Sequence, residues 1–191
     1  LDQLIDEILL ASRLEARDAN DASTLGPTEE VDLVGLAAEE CARTGADLEI
    51  APGGSSLLVQ GHPRLLRRLL RNLLENARRY GRPVSGADAD PGEPQVRLTL
   101  SQRSGSGSRA STTGASGVAV LWVDDRGPGV PTELQARIFE PFYRLPGASE
   151  KEGGVGLGLS LVKSIAERHR GLVRCESRPG GGARFVVELP L

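Results

Sequence analysis

The sequence predicts an α+β fold, a two-layer α/β sandwich with one further helix at its N-terminal end. Three observations carry this expectation. Strand pairs flank helices without the strict strand–helix–strand alternation of a doubly wound sheet. The 191 residues suffice for one domain of ordinary size, and a hydrophobic share of 39% excludes wholesale disorder. No apolar run approaches the roughly 18 residues of a membrane span; the longest covers 118–123. No charged-then-apolar leader opens the chain. It begins at Leu1, holds no methionine, and so reads as a segment of something longer.

Each element has its own signal. Residues 1–17 place Leu1, Leu4, Ile5, Ile8, Ala11 and Leu14 at helical spacing, with apolar residues on more than one face. That is the pattern of half a helical hairpin or dimer. The stretch DANDASTLGP is a linker. A helical stretch is expected over 31–44, entered through a short extended VDL, with Gly45 as its stop. Residues 46–50 and 56–59 are expected as two strands around the Pro52-Gly53-Gly54 turn. Pro63 opens the strongest helix, PRLLRRLLRNLLENARRY, which Gly81 and Pro83 end. Residues 95–102 alternate polar and apolar as a half-buried strand should, whereas 118–123 are apolar throughout and so central. Within 84–117 lies a Ser/Gly-rich stretch expected as a flexible hairpin loop. Helices at 131–139 and 157–169 follow. Strands at 172–177 and 184–189, joined at Gly180-Gly181-Gly182, close the chain.

Charge is informative locally. The formal net charge of −3 argues against a general nucleic-acid binder. Cys41 and Cys175 have neither CxxC spacing nor a nearby histidine pair, and read as two buried free thiols. Between His62 and Arg82 seven arginines accompany a single acid, Glu75. Lys151 and Lys163 are the only lysines, so arginine supplies 21 of the 23 basic residues. A solvated arginine face is the bland account of this helix, and an anion-facing helix the functional one.

Four stretches carry chemistry. Asn72 and Asn76 lie four apart, so both amides emerge on one helix face, with Arg79 close by and Tyr80 one turn beyond Asn76. An amide oxygen can ligate Mg²⁺ and arginines can meet phosphate, although taken alone the pair is better explained as a polar surface stripe. Asp125-Arg126-Gly127-Pro128-Gly129 follows the apolar strand directly. It is good turn chemistry, and it also sets a carboxylate at the rim of a buried strand beside glycines that let a flat ligand approach. Such a carboxylate can accept from the exocyclic amine of adenine, a charge-assisted bond worth about 1.5–3 kcal/mol, and would repel guanine O6. IFEPFYR, at 138–144, holds three of the chain's six aromatic residues, a hydrophobic anchor for a loop starting at Arg144. Gly153-Gly154-Val155-Gly156-Leu157-Gly158-Leu159 leads into a helix, where free backbone N–H groups make an anion cradle. It is not the dinucleotide fingerprint, which needs glycine at Leu159 and a preceding apolar strand. Nor is it a Walker loop, because Val162 precedes Lys163-Ser164. The polar residues 146–152 ahead of it suit a mobile lid.

In their order along the chain, these stretches resemble the catalytic, ATP-binding domain of a two-component sensor histidine kinase. RNLLENARRYG is similar to the family's N box, DDRGPGVP to its first glycine box, IFEPFYR to its F box and GGVGLGLSLVKSIAERHRG to its second glycine box. GGGARFVVELPL resembles the closing strand, and LIDEILLASRLEA the end of the second dimerisation helix. The resemblance implies a Bergerat-type sandwich of the GHKL superfamily, with Mg-ATP held between the N-box helix and the lid. It implies that residues 1–20 end the second dimerisation and phosphotransfer helix, 21–30 form a linker and 31–191 form the ATP-binding domain. By the same resemblance, Asn76 ligates Mg²⁺, with Asn72, Arg79 and Tyr80 near the phosphates. Asp125 reads adenine N6, Gly127 and Gly129 shape the adenine floor, and Arg144 reaches the γ-phosphate. Gly154, Gly156, Leu157, Gly158 and Leu159 let lid and helix close on the phosphates. Asn72, Asn76 and Arg144 are the expected catalytic residues, working by positioning and charge neutralisation.

The γ-phosphate is then expected to pass to a histidine on the protein's own dimerisation domain, for relay to a cognate response regulator. The implied parent is a homodimeric inner-membrane sensor of a bacterium. This part is expected to be cytoplasmic, touching neither membrane nor nucleic acid. The acceptor histidine belongs on the first dimerisation helix, which the sequence does not include. His62 reads as a residue at a helix start and His169 as one at a helix end, so neither matches the acceptor pattern. Two alternatives stand beside the kinase. One is an ATP hydrolase on the same fold, as in gyrase, mismatch-repair and chaperone ATPases, which use a glutamate at the Asn72 position to activate water. The other is a nucleotide-gated interaction module.

Overall fold

The structure, a computed structural model, describes residues 9, 27–81, 94–104, 117–145 and 155–191. The expected N-terminal helix apart from Leu9, most of the 84–117 loop, the 146–152 lid and Gly154 lie outside the described residues. The elements in chain order are β1 (Glu29–Asp32), α1 (Leu33–Thr44), β2 (Asp47–Ile50), β3 (Leu58–Gly61), α2 (Pro63–Tyr80), β4 (Val96–Ser104) and β5 (Gly117–Asp125). Two 3-10 turns (Thr132–Leu134 and Arg137–Phe139), α3 (Gly158–Arg168), β6 (Leu172–Ser177) and β7 (Ala183–Pro190) follow. β2, β4, β5, β7 and β6 form one sheet in that order, antiparallel except for the β2–β4 pair. All three helices pack on this sheet, which gives the expected two layers. β1 and β3 pair apart from it as a small antiparallel ribbon, and β1 takes in Glu29 and Glu30, which were expected in the linker.

α2 is the centre of the helical layer. Leu65, Leu66, Leu69, Leu70, Leu73 and Leu74 recur at helical spacing, and each is at most 3% exposed. Burial of each contributes about 1.5–3 kcal/mol, which outweighs the six arginines of this helix as a fold determinant. Pro63 sits in the first turn, where its missing N–H costs nothing. Asp32 caps α1 by accepting from the Val34 N–H at 3.0 Å, and Gly45 ends α1 in the left-handed conformation. In the sheet, β5 is the middle strand, as its apolar sequence requires. Leu121 lies opposite Leu100 and Val187, and Val123 opposite Leu98 and Phe185, so apolar rows run across three strands under the helices. The other sheet face is laced by ion pairs. Glu188 takes Arg103 and Arg174, and Arg184 grips Asp124 at 2.6 and 2.7 Å while lying over Trp122.

One expectation is refined and one corrected. Both strands expected on either side of Pro52-Gly53-Gly54 form, at 47–50 and 58–61, and they take different partners rather than each other. Ala51 N–H bonds to the Leu100 carbonyl at 2.8 Å, and a Cβ on Gly54 would also press on that carbonyl. The turn is therefore pinned to β4, so β2 joins β4 in parallel while β3 leaves for β1. The expected helix at 131–139 is two 3-10 turns. Pro141 drives Glu140 into extended conformation (ψ 139), and the eight residues between Pro131 and Glu140 are too few to hold a helix against it.

Candidate functional site

Asp125 ends β5 on the sheet face that carries the helices and is 5% exposed. Its Oδ1 accepts two backbone N–H groups, from Gly127 at 2.9 Å and from Ala183 at 3.1 Å. Its Oδ2 has no hydrogen-bond partner among the described residues. One oxygen thus aims the carboxylate and the other is left for a donor from outside. Burial pushes the Asp125 pKa above the ordinary aspartate value of 3.8, with the Ala183 and Gly127 N–H groups opposing it. The wall around Asp125 is bare backbone. A Cβ on Gly81 would stand 2.5 Å from that of Asp125, one on Gly127 would overlap the Tyr80 carbonyl, and one on Gly182 would overlap the Asp125 carbonyl. Gly129 and Gly182 both sit at positive φ, 77° and 96°, with their backbones in contact.

On α2, Asn72 is buried and its Nδ2 donates to the Gly158 carbonyl at 3.1 Å. The expected phosphate neighbour is therefore a tie between the two helices. One turn further, Asn76 is half-buried, and its amide has no hydrogen-bond partner among the described residues. Its oxygen is available to a hard cation. Arg79 is exposed and Tyr80 half-buried in the last turn. Glu75, the only acid on α2, turns to the α1 side and meets Arg43 at 3.3 Å.

The start of α3 supplies the third wall. Gly156 has φ 80°, and its carbonyl accepts from Phe142 N–H at 3.0 Å, so the aromatic stretch backs onto the glycine run. Leu157 is buried, and its carbonyl accepts from Leu161 N–H and from Ser160 Oγ, while Leu159 packs against the core. Among the described residues no side chain caps the helix N-terminus and a Cβ on Gly158 would meet nothing within 4 Å, and the first turn holds no acid. Uncapped N–H groups beside open space favour an anion. Arg144 is half-buried and follows Tyr143, whose ring carries the Arg137 guanidinium 4.7 Å from its centroid.

Most of the described site residues thus fall into three groups: Asp125 with Gly127, Gly129 and Tyr80; Asn76 alone; and Asn72 with Gly158 beside Gly156, Leu157 and Leu159; Arg79 and Arg144 join none of them. A purine edge, a cation and a phosphate are the ligand chemistries these groups fit. Sequence reasoning missed Gly81, Gly182 and the Ala183 N–H. The glycine triplet at 180–182 was the one available signal, since it holds more glycine than a tight turn needs. Both cysteines are buried free thiols, as expected, and burial pushes Cys175 up to about 12.

Residues 61–191 match the family of histidine kinase-, DNA gyrase B-, and HSP90-like ATPases. Over its whole length the chain is 31% identical to the sensor histidine kinase CpxA of Escherichia coli strain K12, and it spans 37% of that relative. It is also similar to the ATP binding domain of PrrB from Mycobacterium tuberculosis, at 29% identity and a TM-score of 0.56, covering 86% of this chain and 98% of that one. Full-length ShkA in complex with AMPPNP shares the fold at a TM-score of 0.66 and 24% identity, over 98% of this chain and 35% of that one.

Proposed function

From the premise that the chain belongs to the family of histidine kinase-, DNA gyrase B-, and HSP90-like ATPases, we propose that it is the catalytic module of a sensor histidine kinase. It binds ATP and passes the γ-phosphoryl group to a histidine on its parent's dimerisation domain. One observation favours transfer over hydrolysis: α2 presents no carboxylate to the site. Asn72 is an amide engaged with Gly158, and Glu75 is turned to Arg43. Neither can take a proton from an attacking water.

Each group then has one task. Asp125 Oδ2 accepts from the adenine amine, while the bare backbone of Gly127 and Gly129 admits the flat ring. The N–H groups that open α3 hold phosphate oxygens, Gly158 leaving room for them. Arg79 and Tyr80, in the last turn of α2, lie near the phosphates, and Arg144, in the loop after the second 3-10 turn, approaches the γ-phosphate. Asn76 offers its amide oxygen to Mg²⁺, which when bound neutralises phosphate charge. Gly154 completes the glycine run. The chain positions and screens charge, and the nucleophile comes from another domain. A homodimeric parent, a response regulator that takes the phosphoryl group and a membrane-anchored sensor complete the proposal. Among the described residues, no helix is long and apolar enough to cross a membrane.

Calorimetry of the chain with ATP, with and without Mg²⁺, tests this reading together with phosphate release over time. Mg²⁺-dependent ATP binding with negligible steady-state hydrolysis is expected. Robust turnover that Asn76→Ala abolishes would overturn it in favour of a hydrolase.

A further inference from the structure

His169 follows the last residue of α3, is 6% exposed, and uses both ring nitrogens. Its Nε2 accepts the backbone N–H of His62 at 3.0 Å, and its Nδ1 lies 2.8 Å from the Ile165 carbonyl. An N–H donor on one nitrogen and a carbonyl on the other admit a single state, the neutral ring with its proton on Nδ1. The fold makes room for this contact. A Cβ on Gly61 would stand 2.5 Å from Nε2, and the His62 ring covers His169 edge-on with centroids 5.9 Å apart. His62 Nδ1 itself is buried without a hydrogen-bond partner among the described residues, which the junction accepts to keep its geometry.

The position of this bond gives it a role. α2 and α3 run antiparallel, and two side-chain bonds from α3 and α2 tie them together. Asn72 to Gly158 joins the middle of α2 to the start of α3, and His169 to His62 joins the end of α3 to the start of α2. The ties lie ten residues apart along α2 and eleven along α3, about 15 and 16 Å at the helical rise of roughly 1.5 Å per residue. Matched spans leave no slack for the helices to slide. α2 carries Asn76 and α3 opens with the glycine cradle, so helix register sets the distance between them.

We propose that His169 is a positioning residue of the nucleotide site, the distal half of a two-point clamp that fixes the α3 phosphate cradle against Asn76. The proposal rests on the ATP-site reading above and touches no ligand itself. His169→Leu removes the acceptor for the His62 N–H, whereas His169→Gln can place Oε1 where Nε2 lies. Gly61→Ala leaves His169 in place but drives its ring away.

The test is calorimetric ATP affinity in the presence of Mg²⁺ for the four proteins, at a temperature where circular dichroism shows each folded. Nitrogen NMR of the wild-type imidazoles runs alongside. Expected are a loss of about tenfold for His169→Leu and Gly61→Ala, the scale of one lost hydrogen bond, and a Kd for His169→Gln within about threefold of wild type. The His169 ring is expected as the neutral Nδ1–H form at pH 7. Wild-type affinity in a folded His169→Leu or Gly61→Ala protein would overturn the clamp, as would His169→Gln failing to restore binding or an Nε2–H ring. Should the wild type itself bind no ATP, the ATP-site reading fails, which is a separate result.

Discussion

Replacing Asp125 by asparagine separates recognition from folding. The aspartate Oδ1 holds two buried backbone N–H groups and the Oδ2 holds none. Asparagine keeps an oxygen on Gly127 and Ala183 and turns an NH₂ group toward the adenine amine, setting donor against donor. The lost charge-assisted bond is worth about 1.5–3 kcal/mol, which corresponds to about 10- to 150-fold in ATP affinity. Alanine instead strands both N–H groups, at about 1–3 kcal/mol each, and so is expected to cut deeply into a total stability of about 5–15 kcal/mol. The assay is calorimetry with ATP beside urea unfolding of wild type, Asp125→Asn and Asp125→Ala. Asp125→Asn should unfold near the wild-type midpoint while binding ATP at least about tenfold more weakly. Unchanged ATP affinity in Asp125→Asn would refute the assignment of Oδ2 to adenine. Equal loss of stability in both variants would refute the role given to Oδ1. The pH dependence has two opposed limbs. Burial raises the folded pKa above 3.8, so the stability contribution of Asp125 is full below pH 3.8 and is lost as pH rises through the folded pKa. If Oδ2 accepts from adenine as proposed, ATP binding is expected to strengthen over that same rise.

Asn76→Ala removes a half-buried amide that has no hydrogen-bond partner among the described residues, so Mg²⁺-dependent ATP binding should disappear while thermal stability holds or rises by about 0.5 kcal/mol from helix propensity, as calorimetry and melting would show. Glu40 is 1% exposed and meets Arg43 at 2.9 Å and Arg71 at 3.1 Å. Burial pushes its carboxyl up, but the hydrogen bonds from Arg71 and Arg43 prevail and hold it below 4.5. Its stabilisation is therefore present above pH 4.5 and lost as pH falls through the folded pKa. Glu40→Gln should cost about 1–2 kcal/mol in urea at pH 7, discounted because the arginines keep much of their water, and should flatten the acid limb. Arg170 sits at φ 58° just past α3, so Arg170→Gly should raise stability by about 1 kcal/mol without altering ATP affinity.

What the sequence made legible was local. The leucine stripe of α2, the apolar run of β5, its hairpin with β4 and the glycine run before α3 each write a period or a turn into neighbouring residues. The strand partners were less legible. β2 lies parallel to β4 because the Ala51 turn is pinned to Leu100, a contact between residues far apart in the chain. The site was legible as motifs, and its internal bonds were hidden for the same reason. Asn72 to Gly158 spans 86 residues, Ala183 to Asp125 spans 58, and His62 to His169 spans 107. An asparagine on a helix face reads the same whether or not it holds a neighbouring carbonyl, and only the folded chain shows the bond from Asn72 to Gly158. His169 read as a helix end, and it is one. Its second bond left no mark near it in sequence except Gly61-His62, which gave no reason to look 107 residues ahead.

The most direct measurement supplies the proposed acceptor, a dimerisation domain carrying a phosphorylatable histidine, to this chain in trans with γ-labelled ATP and Mg²⁺. Label on that histidine, acid-labile, and absent with Asn76→Ala, is the expected result. Steady phosphate release with no label on any histidine would contradict the assignment of this site to phosphoryl transfer.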